Sequence, residues 1–387
     1  MKQNRLRKFL VDIHLWLGVG SGIILFIVCF TGTVMVYQDE ILDLINGDQH
    51  TVTVTDGSSK VTIDQLIQKI ESEEGKAVTG LSIPSETNEA YTFTLAPNEG
   101  ERRGKRISVD PYNGEVLPHI DQAGRDFFRV MFRLHRWLLL DSKIGRPIVG
   151  VATLIFVVLC LTGLYLWVPI NWKSWKQGFK VKTSGNWYRL NYDLHNTLGF
   201  YALGLLLVMS LTGLCWSFGW YRDALSVVLG DKVFNRGGGK PTEIALSEDI
   251  KPLSMEQLLA KANQTFDYEG NISLRLPNDS NHPVTVMKQP TAWYKPKAYD
   301  KLEIHPQTAE IVSVSRFGDK HLGQKISSLI KPLHLGDVYG QVSKFFYFIA
   351  SLIATSLPIT GVIIWIKQLQ ISKRKKLKKA KQQVTIA

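Results

Sequence analysis

The sequence predicts a membrane protein of the α+β class, with four transmembrane helices in two duplicated halves and a small extracytoplasmic α+β domain in each half. Three observations predict it. First, of 387 residues 45% are hydrophobic and 21% charged, yet the apolar ones gather in four blocks, 15–37, 148–168, 198–220 and 345–366. Each block runs about 21 to 23 residues, enough to cross a hydrocarbon core of roughly 30 Å. Second, Asp12-Ile-His14-Leu-Trp-Leu-Gly18 opens the first block and Asp193-Leu-His195-Asn-Thr-Leu-Gly199 opens the third. Third, both intervening segments pass from a helical pattern to a series of alternating strands.

Residues 1–37 form a basic start and the first span, read as an uncleaved anchor because its apolar run is too long for a signal peptide and no small-residue cleavage site follows Tyr37. Segment 38–146 holds the first small domain and the lead-in to the second span. A helix begins after Thr62, its cap, with Leu66, Ile67 and Ile70 on one face. Strands follow at 77–83, 90–96 and 105–110, the last running into the turn Pro111-Tyr-Asn-Gly114. The second span is 147–168, a cytoplasmic loop takes 169–197, and the third span is 198–220. Segment 221–344 repeats the plan, with a helix capped by Ser254 and strands near 271–276, 283–289, 299–304 and 309–315. The fourth span is 345–366 and the tail 367–387. Two copies of span, small domain, span, both starting on the same side, make a parallel internal duplication.

Lysine and arginine near the spans set the orientation. Arg5, Arg7 and Lys8, then Lys176, Lys180, Lys182 and Arg189, then Lys367 and the run Lys373-Arg-Lys-Lys376 put both termini and the middle loop in the cytoplasm. The net charge of +12 is mostly this bias and suits anionic lipid headgroups. The basic tail follows a span directly and has no interleaved aromatics, so no nucleic-acid partner is expected. Cys29, Cys160 and Cys215 all fall inside apolar blocks, so no disulfide framework is expected.

The chemistry lies in four histidines. His14 and His195 open two spans, and His135 and His334 precede the other two by over ten residues. Ionisable side chains at such positions are costly unless they serve a site. A two-fold axis along the membrane normal would oppose His14 to His195 near the cytoplasmic face and His135 to His334 near the outer face. Two opposed imidazoles are the axial ligand set of a six-coordinate haem iron. Zinc would want three or four ligands at one depth. No Cys-x-x-Cys-His occurs, so any haem is held noncovalently. Each span closes on Thr-Gly, at Gly32, Gly163, Gly213 and Gly361. At 1.5 Å per residue, the 18-residue step from His14 to Gly32 and from His195 to Gly213 is about 27 Å, which carries those glycines to the outer pair, while Gly163 and Gly361 approach the inner pair. Glycine there makes room for a flat porphyrin, or for ordinary close helix packing. Arg129, Arg133 and Arg136 crowd the outer approach to the second span, as candidates for pairing with haem propionates or for drawing in an anionic iron complex. His321 is a lower-ranked competitor for the outer iron, having no histidine counterpart in the first half.

The span–domain–span plan, Ile13-His-Leu-Trp-Leu-Gly18, Val109-Asp-Pro-Tyr-Asn-Gly-Glu-Val116 and Leu333-His-Leu-Gly336 together resemble the PepSY-associated transmembrane family of iron-regulated inner-membrane proteins, over about 5–367. The likeness is greatest to its ferric-siderophore reductases. That resemblance implies PepSY-like outer domains and two b-type haems. It implies an enzyme of the bacterial inner membrane that reduces a ferric siderophore or other iron(III) complex on the periplasmic side. No nucleotide-binding glycine loop appears in the short cytoplasmic parts, so the donor is expected to be quinol or a protein. The competing expectation is a non-enzymatic membrane sensor or protease-regulating protein that binds peptides or a partner through its outer domains.

Overall fold

The computed structural model describes residues 2–46, 51–54, 57–101, 104–117, 122–169, 172–234, 243–247, 249–277 and 281–386. In chain order the helices are α1 (Lys2–Met35), α2 (Gln38–Asn46) and α3 (Ile63–Glu74), followed by strands β1 (Val78–Ile83), β2 (Tyr91–Leu95) and β3 (Arg106–Val109). Then come α4 (Gln122–Trp137), α5 (Ser142–Trp167), α6 (Trp187–Asp193), α7 (Gly199–Ser217), α8 (Gly219–Leu229) and α9 (Met255–Thr265). Strands β4 (Gly270–Arg275), β5 (Val284–Pro290), β6 (Asp300–Ile304) and β7 (Ile311–Ser315) lead to α10 (Leu322–Leu335) and α11 (Gly340–Ile386).

Four helical stretches are long and apolar enough to span a membrane: Arg5–Met35, Ser142–Trp167, Trp187–Ser217 and Gly340–Leu377. Spans α1 and α5 run antiparallel, as do α7 and α11, because residues at the start of one touch residues near the end of the other. The third stretch joins α6 to α7 through one wide π turn, Leu194–Leu198, which carries His195. A π turn adds a residue to one helical turn and re-aims the side chains on it, a device frequent at functional sites. Beyond the fourth span α11 continues through the basic run to Ile386.

The strands form one antiparallel sheet in the order β3-β2-β1-β4-β5-β6-β7. The sequence leads to two small sheets; the structure fuses their edges through β1 and β4, with Leu81 opposite Leu274 and Ser82 opposite Ser273. Edge strands left open would be aggregation templates, and pairing them removes both edges at once. Phe93, Leu95, Val286, Leu302 and Ile304 are wholly buried on one face beneath α3 and α9. Truncating a ring such as Phe93 to alanine would cost about 3–5 kcal/mol.

The same joint is tied between the helices. Thr62 and Ser254 each cap their own helix in a capping box, and each helix also caps the other. Met255 N–H donates to the Asp64 carboxylate at 3.1 Å, and Ile63 N–H donates to the Glu256 carboxylate at 2.5 Å. Anionic side chains at helix N-termini are favourable, but here two of them meet. Burial and the neighbouring Glu256 raise the Asp64 carboxyl above its ordinary value, outweighing the Met255 hydrogen bond that lowers it.

Candidate functional site

The structure brings the four histidines together in two pairs. The His14 and His195 ring centres lie 6.4 Å apart at 86° between planes, and those of His135 and His334 lie 6.3 Å apart at 57°. With a metal–imidazole bond of about 2.0 Å on each side and roughly 1.1 Å from ring nitrogen to ring centre, collinear ligation of one metal puts the centres about 6.2 Å apart. Both pairs stand at that spacing. His14 and His195 lie in spans, whereas His135 and His334 lie near the C-terminal ends of α4 and α10, which pack along α1 and α7.

The tautomer follows from the hydrogen bonds. Nδ1 of His135 is 2.8 Å from the Val28 carbonyl and Nδ1 of His334 is 2.9 Å from the Met209 carbonyl. A carbonyl only accepts, so both nitrogens carry the proton. Nδ1 of His14 meets Thr162 Oγ1 at 2.9 Å, and Nδ1 of His195 meets Thr360 Oγ1 at 2.8 Å. Thr162 already donates its hydroxyl proton to the Val158 carbonyl and Thr360 to that of Ser356. Here too the imidazole must be the donor. Thr31 and Thr212 stand 3.3 and 3.2 Å from the outer Nδ1 atoms in the same way. With the proton fixed on Nδ1, each Nε2 keeps its lone pair, and among the described residues no hydrogen bond uses it. A fixed Nδ1–H bond is the usual support of a metal-binding histidine.

The glycine after each threonine completes the contact. A Cβ at Gly163 would lie 3.3 Å from His14 Cε1, and one at Gly361 3.4 Å from His195 Cε1. At Gly32 and Gly213 the corresponding distances to His135 and His334 are 3.2 and 3.0 Å. The space expected for a flat porphyrin at these four positions is thus occupied, on the side nearest the glycine, by an imidazole.

Around the inner pair lies a cavity of about 310 Å³, lined among others by Arg7, Gly18, Phe156, Phe200, Pro358 and Trp365. Arg7 donates to the carbonyls of Leu166 and Val168 at 2.7 and 3.1 Å, satisfying the open C-terminal end of α5. The donor chemistry fits haem: two imidazoles with Nδ1 hydrogen-bonded and ring centres 6.4 Å apart, in a largely apolar cavity. It does not fit four-coordinate zinc, since among the described residues no three His, Cys, Asp or Glu side chains cluster.

Residues 11–368 match the PepSY-associated TM region. The chain belongs to that family. No curated protein matches it.

In this PepSY-associated chain Arg136 is near enough for its charge to act on both His135 and His334. Arg129 is exposed and paired with Asp126 at 2.9 Å, and Arg133 is exposed. Arg136 is half-buried, its guanidinium over the Phe132 and Trp137 rings at 5.5 and 5.7 Å. His321 caps α10, accepting from Gln324 N–H at 3.3 Å, at the opposite end from His334. Asp193 is buried and accepts from Arg189 Nε and Lys182 N–H rather than from His195. The sequence reading gives the Thr-Gly pairs a role through glycine alone; the threonines, Arg7 and Asn191, which donates to the Thr360 carbonyl at 3.1 Å, are the additions. The available signal for the threonines is a hydroxyl one residue before glycine in all four apolar runs.

Proposed function

We propose that this PepSY-associated protein is a di-haem b-type transmembrane electron conduit that reduces siderophore-bound iron(III) on the face that carries the sheet, with electrons from an inner-membrane or cytoplasmic donor. The observation that carries the reading is the spacing of two histidine pairs at 6.4 and 6.3 Å, with all four Nδ1 atoms engaged by threonine hydroxyls or backbone carbonyls rather than by the partner ring. Bound haem would supply one-electron chemistry at an iron whose potential the protein sets. The chain's own part is to hold and tune. His14 with His195, and His135 with His334, are the proposed axial ligands. The threonines hold each ring's orientation and raise its basicity through the Nδ1–H bond. The apolar spans exclude water from the inner pair.

A parallel duplication of two halves accounts for the arrangement. One rule, in which a Thr-Gly pair on one helix receives the histidine of its antiparallel neighbour, recurs four times. The reciprocal caps of α3 and α9 obey the same pseudo-symmetry. Basic residues around the far ends of the spans support a cytoplasmic location for both termini and a periplasmic one for the sheet. On that outer side Arg129 and Arg133 present exposed positive charge that would draw in an anionic iron(III) complex.

The test uses the purified protein, reduced chemically without oxygen and mixed with a ferric chelate. Loss of the reduced α band on mixing is expected, with slower loss in His135→Ala. A reduced protein indifferent to ferric chelates would remove the reductase reading.

A further inference from the structure

The hairpin from β5 to β6 contains Pro290-Thr-Ala-Trp-Tyr-Lys-Pro-Lys297, which the redox reading does not use. It turns at 292–295, closed by Lys295 N–H donating to the Ala292 carbonyl at 3.0 Å. Trp293 and Tyr294 form the tip and are 72% and 64% exposed, among the most exposed large apolar side chains outside the spans. Lys295 leans back over the Tyr268 ring at 5.2 Å, so the tip presents rings rather than a charge.

The base of this loop is pinned to the start of a span. Lys297 Nζ bridges the Asp337 carboxylate at 2.9 and 3.1 Å, and Lys297 N–H donates to the Val338 carbonyl at 2.8 Å. The fourth span begins at Gly340, which itself approaches Lys297. Trp293 is four residues from the pin and Tyr294 three. At 3.3–3.6 Å per extended residue the tip stays within about 14 Å of it. The headgroup zone on each side of the hydrocarbon is roughly 5–7 Å deep, so the tip is within reach of that zone. Tryptophan and tyrosine favour that zone because one end of each ring is apolar and the other hydrogen-bonds water or headgroup.

We propose that the Trp293–Tyr294 tip inserts into the headgroup layer of the bilayer on the sheet side, and through Lys297 and Asp337 fixes the height of the sheet over the His135–His334 end of the bundle. The occupant is lipid because the loop is continuous with the membrane boundary of α11, where Tyr339, Phe345 and Phe346 are also exposed. Nothing in this depends on redox activity.

The experiment places a spin label at Tyr294→Cys in the full-length protein in phosphatidylethanolamine–phosphatidylglycerol vesicles, and compares collisions with oxygen and with a water-soluble nickel chelate. The native cysteines lie within spans, and label on the parent protein is subtracted. A severalfold higher oxygen-to-nickel ratio is expected at 294 than for a free water-soluble nitroxide control in the same buffer, falling toward the control when Trp293→Ser is added. A ratio at 294 equal to the control would overturn the insertion. A high ratio unmoved by Trp293→Ser would overturn the anchoring role of the tryptophan.

Discussion

At the scale of single residues the account rests on fit within tenths of an ångström. The four glycines grade themselves: an added methyl meets its imidazole at 3.0 Å at Gly213, 3.2 Å at Gly32, 3.3 Å at Gly163 and 3.4 Å at Gly361. Since interiors are packed without slack, damage from alanine is expected to follow that order. Absorbance per chain of Gly213→Ala should show the outer site impaired and the inner intact, while Gly361→Ala stays near wild type. Equal tolerance at both would mean the imidazoles are not held against these backbones. The histidines themselves were legible because an ionisable side chain at a membrane helix end needs a reason. The threonine partners were not, because a threonine in an apolar helix commonly bonds its own preceding carbonyl, as Thr162 and Thr360 also do.

At the scale of elements, local chemistry was readable and long-range pairing was not. Thr62 and Ser254 cap as their sequence pattern indicates, and the strands from 78 to 109 and from 270 to 315 fall where alternation puts them. Alternation says which face of a strand is buried and nothing about which edge it joins, so the β1–β4 pairing stayed hidden. The π turn at 194–198 was hidden too, because no residue type marks it. The joint between α3 and α9 carries a pH dependence. The Asp64 carboxyl is raised in the folded protein by burial first and by Glu256 next. A raised folded value means the protonated form is favoured in the fold, so its contribution is full below the ordinary carboxylate range and is lost as pH rises through the raised value. Amide exchange at Ile63 and Met255, corrected for intrinsic rates, is expected to be better protected below the ordinary carboxylate range than at neutral pH. Asp64→Asn should flatten that difference; a profile unchanged by it would contradict the reading.

At the scale of the whole molecule, four spans and one sheet divide the chain into a basic far side and a sheet side. The four-span plan was legible from block length alone, whereas the fusion of two outer segments into one body was not. The proposed orientation predicts that cysteine introduced at Lys320 reacts with an impermeant maleimide in intact cells, while cysteine at Gln368 reacts only after permeabilisation. The reverse pattern would invert the proposed direction of electron flow. The central claim is that each histidine pair grips one iron, and haem content by pyridine haemochrome on the purified chain tests it most directly. The account predicts two haem b per chain, falling to one in His14→Ala and to one in His135→Ala. A wild-type protein without haem, or a single substitution that removes both or neither, would contradict it.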